Sequence, residues 1–331
     1  MAKNIDFNNL GFGYIEADFR YVSIFKDGAW QKGELVRGGN FEINEYACVL
    51  HYAQTCFEGM KAFRQKNGDV VLFRPDMNAT RLQDSCKRLL MPPVSVEQFM
   101  EGVTESIKAN PDLIPPYDSG ASLYIRPVVF GMSPTIGVVP SVNCMFRVIV
   151  NPVGSYFKND MRLMVTNYDR AAPMGTGDVK LGLNYAMSLW PEHLAKEAGF
   201  DGCLYLDPKT HTTVEETHGA NVLFVTKDGK LVTPNSNTIL PSITRNSILH
   251  IAKEYLKIPV EERTVLASEI KHFAECGVCG TAAVISTVAS ITHDDKEHKF
   301  KHDTLLKIKE VYNQIIRGEI EAPEGWLVRV K

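Results

Sequence analysis

Apolar and polar residues alternate in short runs near the start of the chain, and this pattern predicts paired β-strands. Arg20–Phe25 is a strand candidate, and Asp27-Gly28 ahead of Trp30 predicts a tight hairpin turn. A second hairpin is predicted to join Met60–Phe63 to Val70–Phe73. The N-terminal part of the chain is therefore expected to contain antiparallel strands.

Apolar residues at helical spacing follow these hairpins. Two helices are predicted at about 76–90 and 96–109, and two apolar strands follow at 123–130 and 145–150. Asn110-Pro111 ends the second helix, because proline cannot continue it. Asn151–Asp160 then combines proline, glycine and polar residues, which favours a connection between domains. We therefore predict an N-terminal domain at 1–153, a linker at 154–160 and a C-terminal domain at 161–331.

The C-terminal part of the chain mixes both kinds of element. Helices are predicted at about 184–198, 242–256 and 304–316, and strands at about 203–206, 222–226, 230–232 and 282–286. Pro191 interrupts the first of these helices, so a kink or two short pieces are expected there. Strands, helices and hairpins mixed along one chain favour an α+β (mixed α/β) fold over a purely parallel sheet.

Composition and charge exclude several classes of protein. A length of 331 residues is enough for two domains, and 44% hydrophobic with 23% charged residues is ordinary for a globular chain. The formal net charge of −3 gives no general attraction to nucleic acid or to an anionic membrane. No apolar run approaches the roughly 18 residues that span a bilayer. Seven cysteines, an odd number without an apolar leader before them, predict reduced thiols in the cytoplasm.

One lysine stands among glycines in a way that indicates chemistry. Lys180 is flanked by Gly175, Gly177 and Gly182, just ahead of a predicted helix. Glycine allows unusual backbone dihedrals and close approach by other groups. A lysine in this setting can form a Schiff base with a carbonyl, whereas the alternative is a flexible loop with an ordinary solvated lysine. Local sequence alone leaves both interpretations open.

A Schiff-base cofactor such as pyridoxal 5′-phosphate also needs a carboxylate for its ring nitrogen and a site for its phosphate. Glu215 and Glu216 precede a glycine turn and an apolar strand, and the local pattern does not choose between them. The helix start at Ser242–Thr244 offers unpaired N–H groups for the phosphate, and its alternative is plain N-capping. Gly280–Ala282 is a second small-residue turn, and Arg81 is a candidate for bidentate phosphate binding.

Cys276-Gly-Val-Cys279 is a candidate of a different kind. A CxxC motif can be a redox pair or half of a zinc site. The sequence has no second CxxC and no thioredoxin-like context around the motif. A thiol-redox or zinc-binding protein is therefore kept only as the non-enzyme alternative, and no metal site is predicted.

Taken together, the motifs resemble those of the branched-chain amino acid aminotransferases, which belong to the fold-type IV class of pyridoxal phosphate enzymes. The matching segments follow the family's order from about residue 45 to about 290: His51-Tyr52, Phe57–Lys61, Phe73–Pro75 with Arg81–Ser85, Tyr124–Pro127, Gly154–Tyr156, Lys180–Tyr185, Glu216–Asn221, Leu240–Thr244 and Gly280–Ala283. This resemblance implies a two-domain fold-type IV architecture and a transaminase.

The resemblance also implies roles for individual residues. Lys180 would form the internal aldimine and act as the general acid/base. The family's spacing selects Glu216, five residues before Asn221, as the partner of the ring nitrogen. The other residues implied to contact the cofactor are Arg81, Tyr185, Ile243, Thr244 and Thr281. Those implied to contact the substrate are Tyr52, Phe57, Tyr124, Arg126, Tyr156, Thr281 and Ala282, with Lys61 at the rim of the pocket.

The implied reaction is transamination of leucine, isoleucine and valine with 2-oxoglutarate or glutamate. The partners would be small amino acids and 2-oxo acids, and the family implies a homodimer or higher homo-oligomer. A D-amino acid aminotransferase and an aminodeoxychorismate lyase are the alternatives within the fold type, and Tyr124–Pro127 and Phe57–Lys61 argue against both. The chain departs from the family at Cys276 and Cys279, which precede the Gly-Thr-Ala turn instead of following it, and at Thr217-His218.

Overall fold

The chain divides into two compact units. The computed structural model describes residues 5–117, 119–154 and 160–331. The first unit comprises Met1–Tyr156, Val179–Leu183 and Ile315–Lys331, and the second comprises Phe157–Asp178 and Asn184–Gln314. The domain limits at 1–153 and 161–331 stay a prediction. The segments 179–183 and 315–331 join the first unit although no local sequence pattern marks them.

Strands supply the framework of both units. The first unit begins with β1 (Phe19–Lys26), β2 (Ala29–Trp30), β3 (Glu34–Arg37), β4 (Thr55–Phe57), β5 (Met60–Arg64), β6 (Val70–Phe73), β7 (Ser122–Gly131) and β8 (Cys144–Val153). The second unit contains β9 (Met161–Val165), β10 (Gly202–Leu206), β11 (Val214–Thr217), β12 (Asn221–Thr226), β13 (Leu231–Pro234), β14 (Val260–Arg263), β15 (Phe273–Gly280), β16 (Val284–His293) and β17 (Lys296–Lys299). A last strand, β18 (Leu327–Arg329), belongs to the first unit.

Helices connect and cover these strands. They are α1 (Cys48–Tyr52), α2 (Pro75–Arg88), α3 (Val96–Lys108), α4 (Gly182–Met187), α5 (Leu189–Glu197), α6 (Ile243–His250) and α7 (Asp303–Arg317). Short 3₁₀ turns occur at Phe7–Asn9, Pro111–Leu113 and Ala267–His272. Among the described residues, no helix has the length and apolar character that crossing a bilayer demands.

The sheet of the first unit is antiparallel. Nine of the described strands take part, in the order β18-β6-β5-β7-β8-β1-β2, with β3 paired to β1 and β4 paired to β7. Both predicted hairpins are confirmed: Phe25 pairs with Trp30 across the Asp27-Gly28 turn, and β5 pairs with β6. The turn residues have φ of 54° and 79°, in the left-handed region that a tight hairpin turn requires.

Helix α3 shows how the sequence forms the core of this unit. Ser95 caps the helix by accepting a hydrogen bond from the Gln98 N–H at 3.1 Å. Phe99, Val103 and Ile107 recur at helical spacing and belong to the buried core. Full burial of each such side chain stabilises the fold by about 1.5–3 kcal/mol. The helices predicted at 76–90 and 96–109 are confirmed as α2 and α3.

The second unit contains a mixed sheet of its own. Nine of the described strands pair in the order β11-β10-β9-β16-β15-β12-β13-β14, with β17 on β16. Strand β9 is parallel to β10 and β16, and β13 is parallel to β14, while β12 is antiparallel to β13 and β15. The predicted α+β (mixed α/β) fold class is therefore confirmed.

Two helices of the second unit differ from the prediction in detail. The helix expected at 184–198 is two short pieces, α4 and α5, but the break falls at Ser188. Pro191 lies instead in the first turn of α5. Backbone N–H groups there form no hydrogen bond within the helix, so proline, which lacks this group, is tolerated. The helix expected to run to about 256 changes at His250 into a π-type turn over Ile251–Tyr255.

Candidate active site

Lys180 lies in a short extended segment beside β4 in the first unit. Its N–H donates to Ser85 Oγ at 3.1 Å, and its carbonyl accepts from the Phe57 N–H at 3.1 Å. Leu181 forms an antiparallel bridge with Cys56. The Lys180 Nζ lies 4.9 Å from the centroid of the Phe57 ring. Both polar groups of the lysine backbone are therefore fixed, which favours a chemical role over a loosely held loop.

The glycine-rich stretch at 175–177 is held within the second unit. Thr176 Oγ1 donates to Asn184 Oδ1 at 2.7 Å, and Asn184 Nδ2 donates to the Thr176 carbonyl at 2.7 Å. A Cβ on Gly177 would lie 2.2 Å from the Thr238 carbonyl oxygen, so glycine alone fits here.

Glu216 is a buried carboxylate in β11 with hydrogen-bond donors on both oxygens. Arg170 Nη2 lies 2.8 Å from Oε1, and the Leu240 N–H donates to the same oxygen at 2.9 Å. Asn221 Nδ2 donates to Oε2. Burial raises the pKa of this carboxyl, and the Arg170 guanidinium lowers it. The pKa is raised overall, and the direct ion pair with Arg170 opposes that rise and favours the ionised form.

Glu215, the neighbouring carboxyl, has a different set of partners. Ser236 Oγ donates to its Oε1 at 3.1 Å, and Thr238 Oγ1 donates to the same oxygen. Burial raises the pKa of Glu215, and the hydrogen bond from Thr238 lowers it. Successive residues of a strand face opposite sides of the sheet, so the two glutamates cannot share one environment. Of the two candidates, Glu216 is the one in direct contact with a cation.

Helix α6 begins close to the Glu216 carboxylate. Asn221 Nδ2 also contacts the Leu240 carbonyl at 3.3 Å, and Ser242 follows as the helix cap. The Ser242 side chain accepts the backbone N–H three residues on at 3.1 Å. Ile243 and Thr244 form the first turn, so their N–H groups have no acceptor within the helix.

A second small-residue turn joins β15 to β16. Asn221 pairs with Cys279 across β12 and β15, and Thr281 and Ala282 follow at the end of β15. A Cβ on Gly280 would lie 3.6 Å from a carbonyl oxygen of the turn at 219–220. The second unit therefore brings together three segments that the sequence singled out: the glutamate strand, the start of α6 and the turn after β15.

Arg81 forms a buried ion pair that the sequence did not indicate. Its Nε donates to Glu58 Oε1 at 2.7 Å and its Nη2 donates to Oε2 at 2.8 Å. Asn78 Nδ2 also donates to Glu58, at 2.6 Å. One turn further along α2, Ser85 Oγ donates to the Arg81 carbonyl at 3.0 Å and accepts the Lys180 N–H. Helix α2 therefore connects the guanidinium to the backbone of the candidate lysine.

Three of the predicted substrate-binding residues lie together in the first unit. Arg126 Nη2 donates to the Tyr124 hydroxyl at 2.9 Å. The guanidinium carbon lies 4.4 Å from the centroid of the Phe57 ring and 5.2 Å from that of Tyr124. The Tyr52 hydroxyl donates instead to the Ile136 carbonyl. The first unit therefore presents two aromatic rings beside one cation.

Three further predicted residues are Tyr185, Lys61 and Tyr156. Tyr185 is half-buried in α4. Lys61 is buried in β5 and pairs with a residue of β7. Tyr156 lies outside the described residues, so its role stays a prediction.

Cys276 and Cys279 lie in β15, and both side chains are fully buried. Residues three apart in a strand face opposite sides of the sheet, so the two thiols are not placed to form a disulfide or to share a metal ion. Burial raises the pKa of both thiols, that of Cys279 to about 12. Within the described ranges, no cluster of three His, Cys, Asp or Glu side chains could hold a metal. These observations count against the redox and zinc alternative.

The chain is similar to proteins of a known family. The family model for amino-transferase class IV matches residues 55–291. The branched-chain-amino-acid aminotransferases of Helicobacter pylori and Haemophilus influenzae are each 47% identical over 99% of this chain, and the match covers 98% and 100% of their lengths. The solved structure of a branched-chain amino acid aminotransferase from T.th. with pyridoxamine 5′-phosphate has 27% identity and a TM-score of 0.80, over 96% of this chain and 100% of that one.

Proposed function

Because this chain belongs to the class IV aminotransferases, and within them to the branched-chain-amino-acid aminotransferases, we propose that it transfers an amino group between branched-chain L-amino acids and 2-oxoglutarate. Leucine, isoleucine and valine are the proposed donors, and pyridoxal 5′-phosphate is the cofactor. The structural observation that carries the proposal is the buried Glu216 carboxylate beside the start of α6. This cofactor requires a carboxylate and a phosphate site close to each other.

The surroundings of Glu216 fit the ring nitrogen of the cofactor. An ionised carboxylate offers about four lone-pair positions. Arg170, Leu240 and Asn221 donate to this one, which leaves capacity for one more donor such as a protonated pyridine nitrogen. When bound, pyridoxal phosphate supplies an electron sink for the substrate's reacting carbon.

Other residues would hold the remaining parts of the cofactor. In the second unit we assign the phosphate to Ile243, Thr244 and Thr281 and the phenolic oxygen to Tyr185, and in the first unit we assign a cofactor contact to Arg81. The N–H groups at the start of α6 suit an anion because of their orientation and the helix dipole. The Arg81 guanidinium is kept in place by Glu58, which makes it a preorganised cation.

Lys180 is the proposed carrier of the cofactor and of the transferred proton. The Phe57 ring lies under its amine, so one side of Nζ faces an apolar surface. Proton transfer by a positioned side chain contributes about 10²–10⁴-fold to a rate. The fixed backbone of Lys180 supplies that positioning.

Phe57, Tyr124 and Arg126 account for the two kinds of substrate. The aromatic rings offer apolar surface to a branched aliphatic side chain. The Arg126 guanidinium over those rings offers a cation to the side-chain carboxylate of glutamate.

A substrate panel tests the proposed function. With 2-oxoglutarate as acceptor, we expect kcat/KM for leucine and valine to exceed that for D-alanine by about 100-fold, because a pocket selects by size and shape within roughly this range. Phenylalanine belongs in the panel as the aromatic comparison. A preference for D-alanine would overturn the proposal in favour of a D-amino acid aminotransferase.

We propose that the chain acts as a homodimer in the cytoplasm. All seven cysteines are buried and free, which fits a reducing compartment. Large apolar side chains are exposed on α1 and on the loop that Tyr52 contacts: Leu50 is 58% exposed, Ile136 74%, Val138 82% and Val142 72%. Exposed apolar patches of this kind mark interaction surfaces, and a second copy is the proposed occupant.

Sedimentation of a Val138→Asp variant tests the dimer. We expect the wild-type chain to sediment as a dimer and the variant to dissociate at least about tenfold more readily, because a buried unpaired charge is costly. Leu306→Asp is the matched control, since Leu306 is 47% exposed on α7. Equal effects of the two variants would show that this patch is not the interface.

A further inference from the structure

Arg170 joins three segments that lie far apart in the sequence. Its side chain is 5% exposed, and all its contacts described here are within the second unit. Arg170 Nη2 donates to the Gly177 carbonyl at 2.9 Å and also to the Thr238 carbonyl. The same nitrogen lies 2.8 Å from Glu216 Oε1. One guanidinium therefore touches the stretch before Lys180, the stretch before α6 and the buried carboxylate.

The electrostatics explain why a cation is needed at this point. A carboxylate buried without a partner would take up a proton, because desolvation disfavours its charged form. Burial raises the pKa of Glu216, and Arg170 is the strongest of the groups that lower it, ahead of the Leu240 N–H and Asn221. Glu215 sits on the neighbouring position with its own hydroxyl partners.

Close packing at Gly177 shows that the arrangement is specific. A Cβ there would lie 2.2 Å from the Thr238 carbonyl oxygen and 2.9 Å from Arg170 Nη2. The two backbone carbonyls and the guanidinium therefore meet at a point with no room for another side chain.

We propose that Arg170 is a positioning residue for the transamination, which fixes the Glu216 carboxylate toward the cofactor's ring nitrogen and anchors the Gly177 carbonyl ahead of Lys180. This inference rests on the proposed function, since it takes Glu216 as the partner of that nitrogen. Arg170 itself touches neither the substrate nor the reacting atoms; it acts through Glu216.

Binding of two cofactors separates this role from a merely structural one. The probes are pyridoxal 5′-phosphate and 1-deazapyridoxal 5′-phosphate, in which carbon replaces the ring nitrogen. We expect Arg170→Met to weaken binding of pyridoxal phosphate by about tenfold or more, in the range seen when an outer partner of a ligating group is lost. Binding of the 1-deaza compound should change by less than about threefold, because it makes no contact through a ring nitrogen.

Three further variants complete the experiment. Arg263→Met removes a paired arginine of the same unit, one that contacts Glu269 at 2.8 Å, and should leave both dissociation constants unchanged. Arg170→Lys should lie between wild type and Arg170→Met, and it carries the test if the methionine variant does not fold. In a Glu216→Gln background, Arg170→Met should no longer distinguish the two cofactors, because its effect passes through that carboxylate.

The outcomes are distinct. Equal weakening of both cofactors by Arg170→Met, or no weakening of either, overturns the positioning role. Persistent discrimination in the Glu216→Gln background overturns the route through Glu216. A wild-type chain that binds neither cofactor overturns the proposed function itself, so the two failures are told apart.

Discussion

Lys180→Ala is expected to lose transaminase turnover by at least about 10³-fold while the protein remains folded. The substitution removes the only group of this residue that can react with a carbonyl. The hydrogen bonds to Ser85 and Phe57 use the backbone of Lys180, so they survive the change. The measurement is kcat with leucine and 2-oxoglutarate, together with the visible absorption of the bound cofactor.

Lys196→Ala is the control for this experiment. Lys196 is exposed on α5, and we expect its removal to leave turnover unchanged. If Lys180→Ala kept more than about a tenth of wild-type turnover, the assignment of Lys180 would be wrong. A folded variant with normal far-UV circular dichroism and no turnover is the outcome that we expect.

Glu58→Ala is expected to destabilise the folded chain by about 3–5 kcal/mol, the usual cost of removing one partner of a buried ion pair. The Glu58 side chain is fully buried, and that of Arg81 is 11% exposed. Without Glu58, the guanidinium and the Asn78 amide lose a shared acceptor. The measurement is the free energy of unfolding in urea, with the binding of pyridoxal phosphate as a second readout.

An exposed ion pair on the same helix provides the comparison. Asp84 and Lys87 lie 3.4 Å apart in α2, with side chains 61% and 62% exposed. Asp84→Ala should cost no more than about 1 kcal/mol, because water screens and solvates both charges. A loss of stability in Glu58→Ala no larger than that in Asp84→Ala would contradict the role given to the buried pair. Glu58→Gln, which keeps an acceptor oxygen, should fall between the two.

Much of the fold could be predicted because its signals are local. The hairpin at Asp27-Gly28 follows from residues that accept a positive φ, and α3 follows from the spacing of Phe99 and Val103 with the Ser95 cap. Such features depend on neighbours within a few positions, which a single sequence displays. The sequence does not predict strand β15, because Phe273–Gly280 carries two glycines and a glutamate, which are uncommon in strands. In the sheet, this strand is paired on both sides, with β12 and β16.

The candidate site depends on partners distant in sequence. No residue near Glu216 in the sequence indicates that Arg170 contacts it. A pair of glutamates before a turn is ordinarily solvated. Glu58 lies within a motif that the sequence singled out. Its ion pair with Arg81 spans 23 positions, so the neighbouring residues do not indicate it. A buried charge needs a compensating partner, and for Glu58 and Glu216 that partner is an arginine. Only the folded structure shows which arginine pairs with each glutamate.

Strand β18 carries a consequence for how the chain is made. Leu327–Arg329 pairs with β6 at the edge of the first sheet, and the Val330 N–H donates to the Val70 carbonyl at 2.9 Å. The ribosome therefore releases the whole of the second unit before it releases the strand that completes the first. Until then, the edge of β6 is an open template for other extended chains. During synthesis of this enzyme there is thus a period in which the sheet of the first unit lacks strand β18.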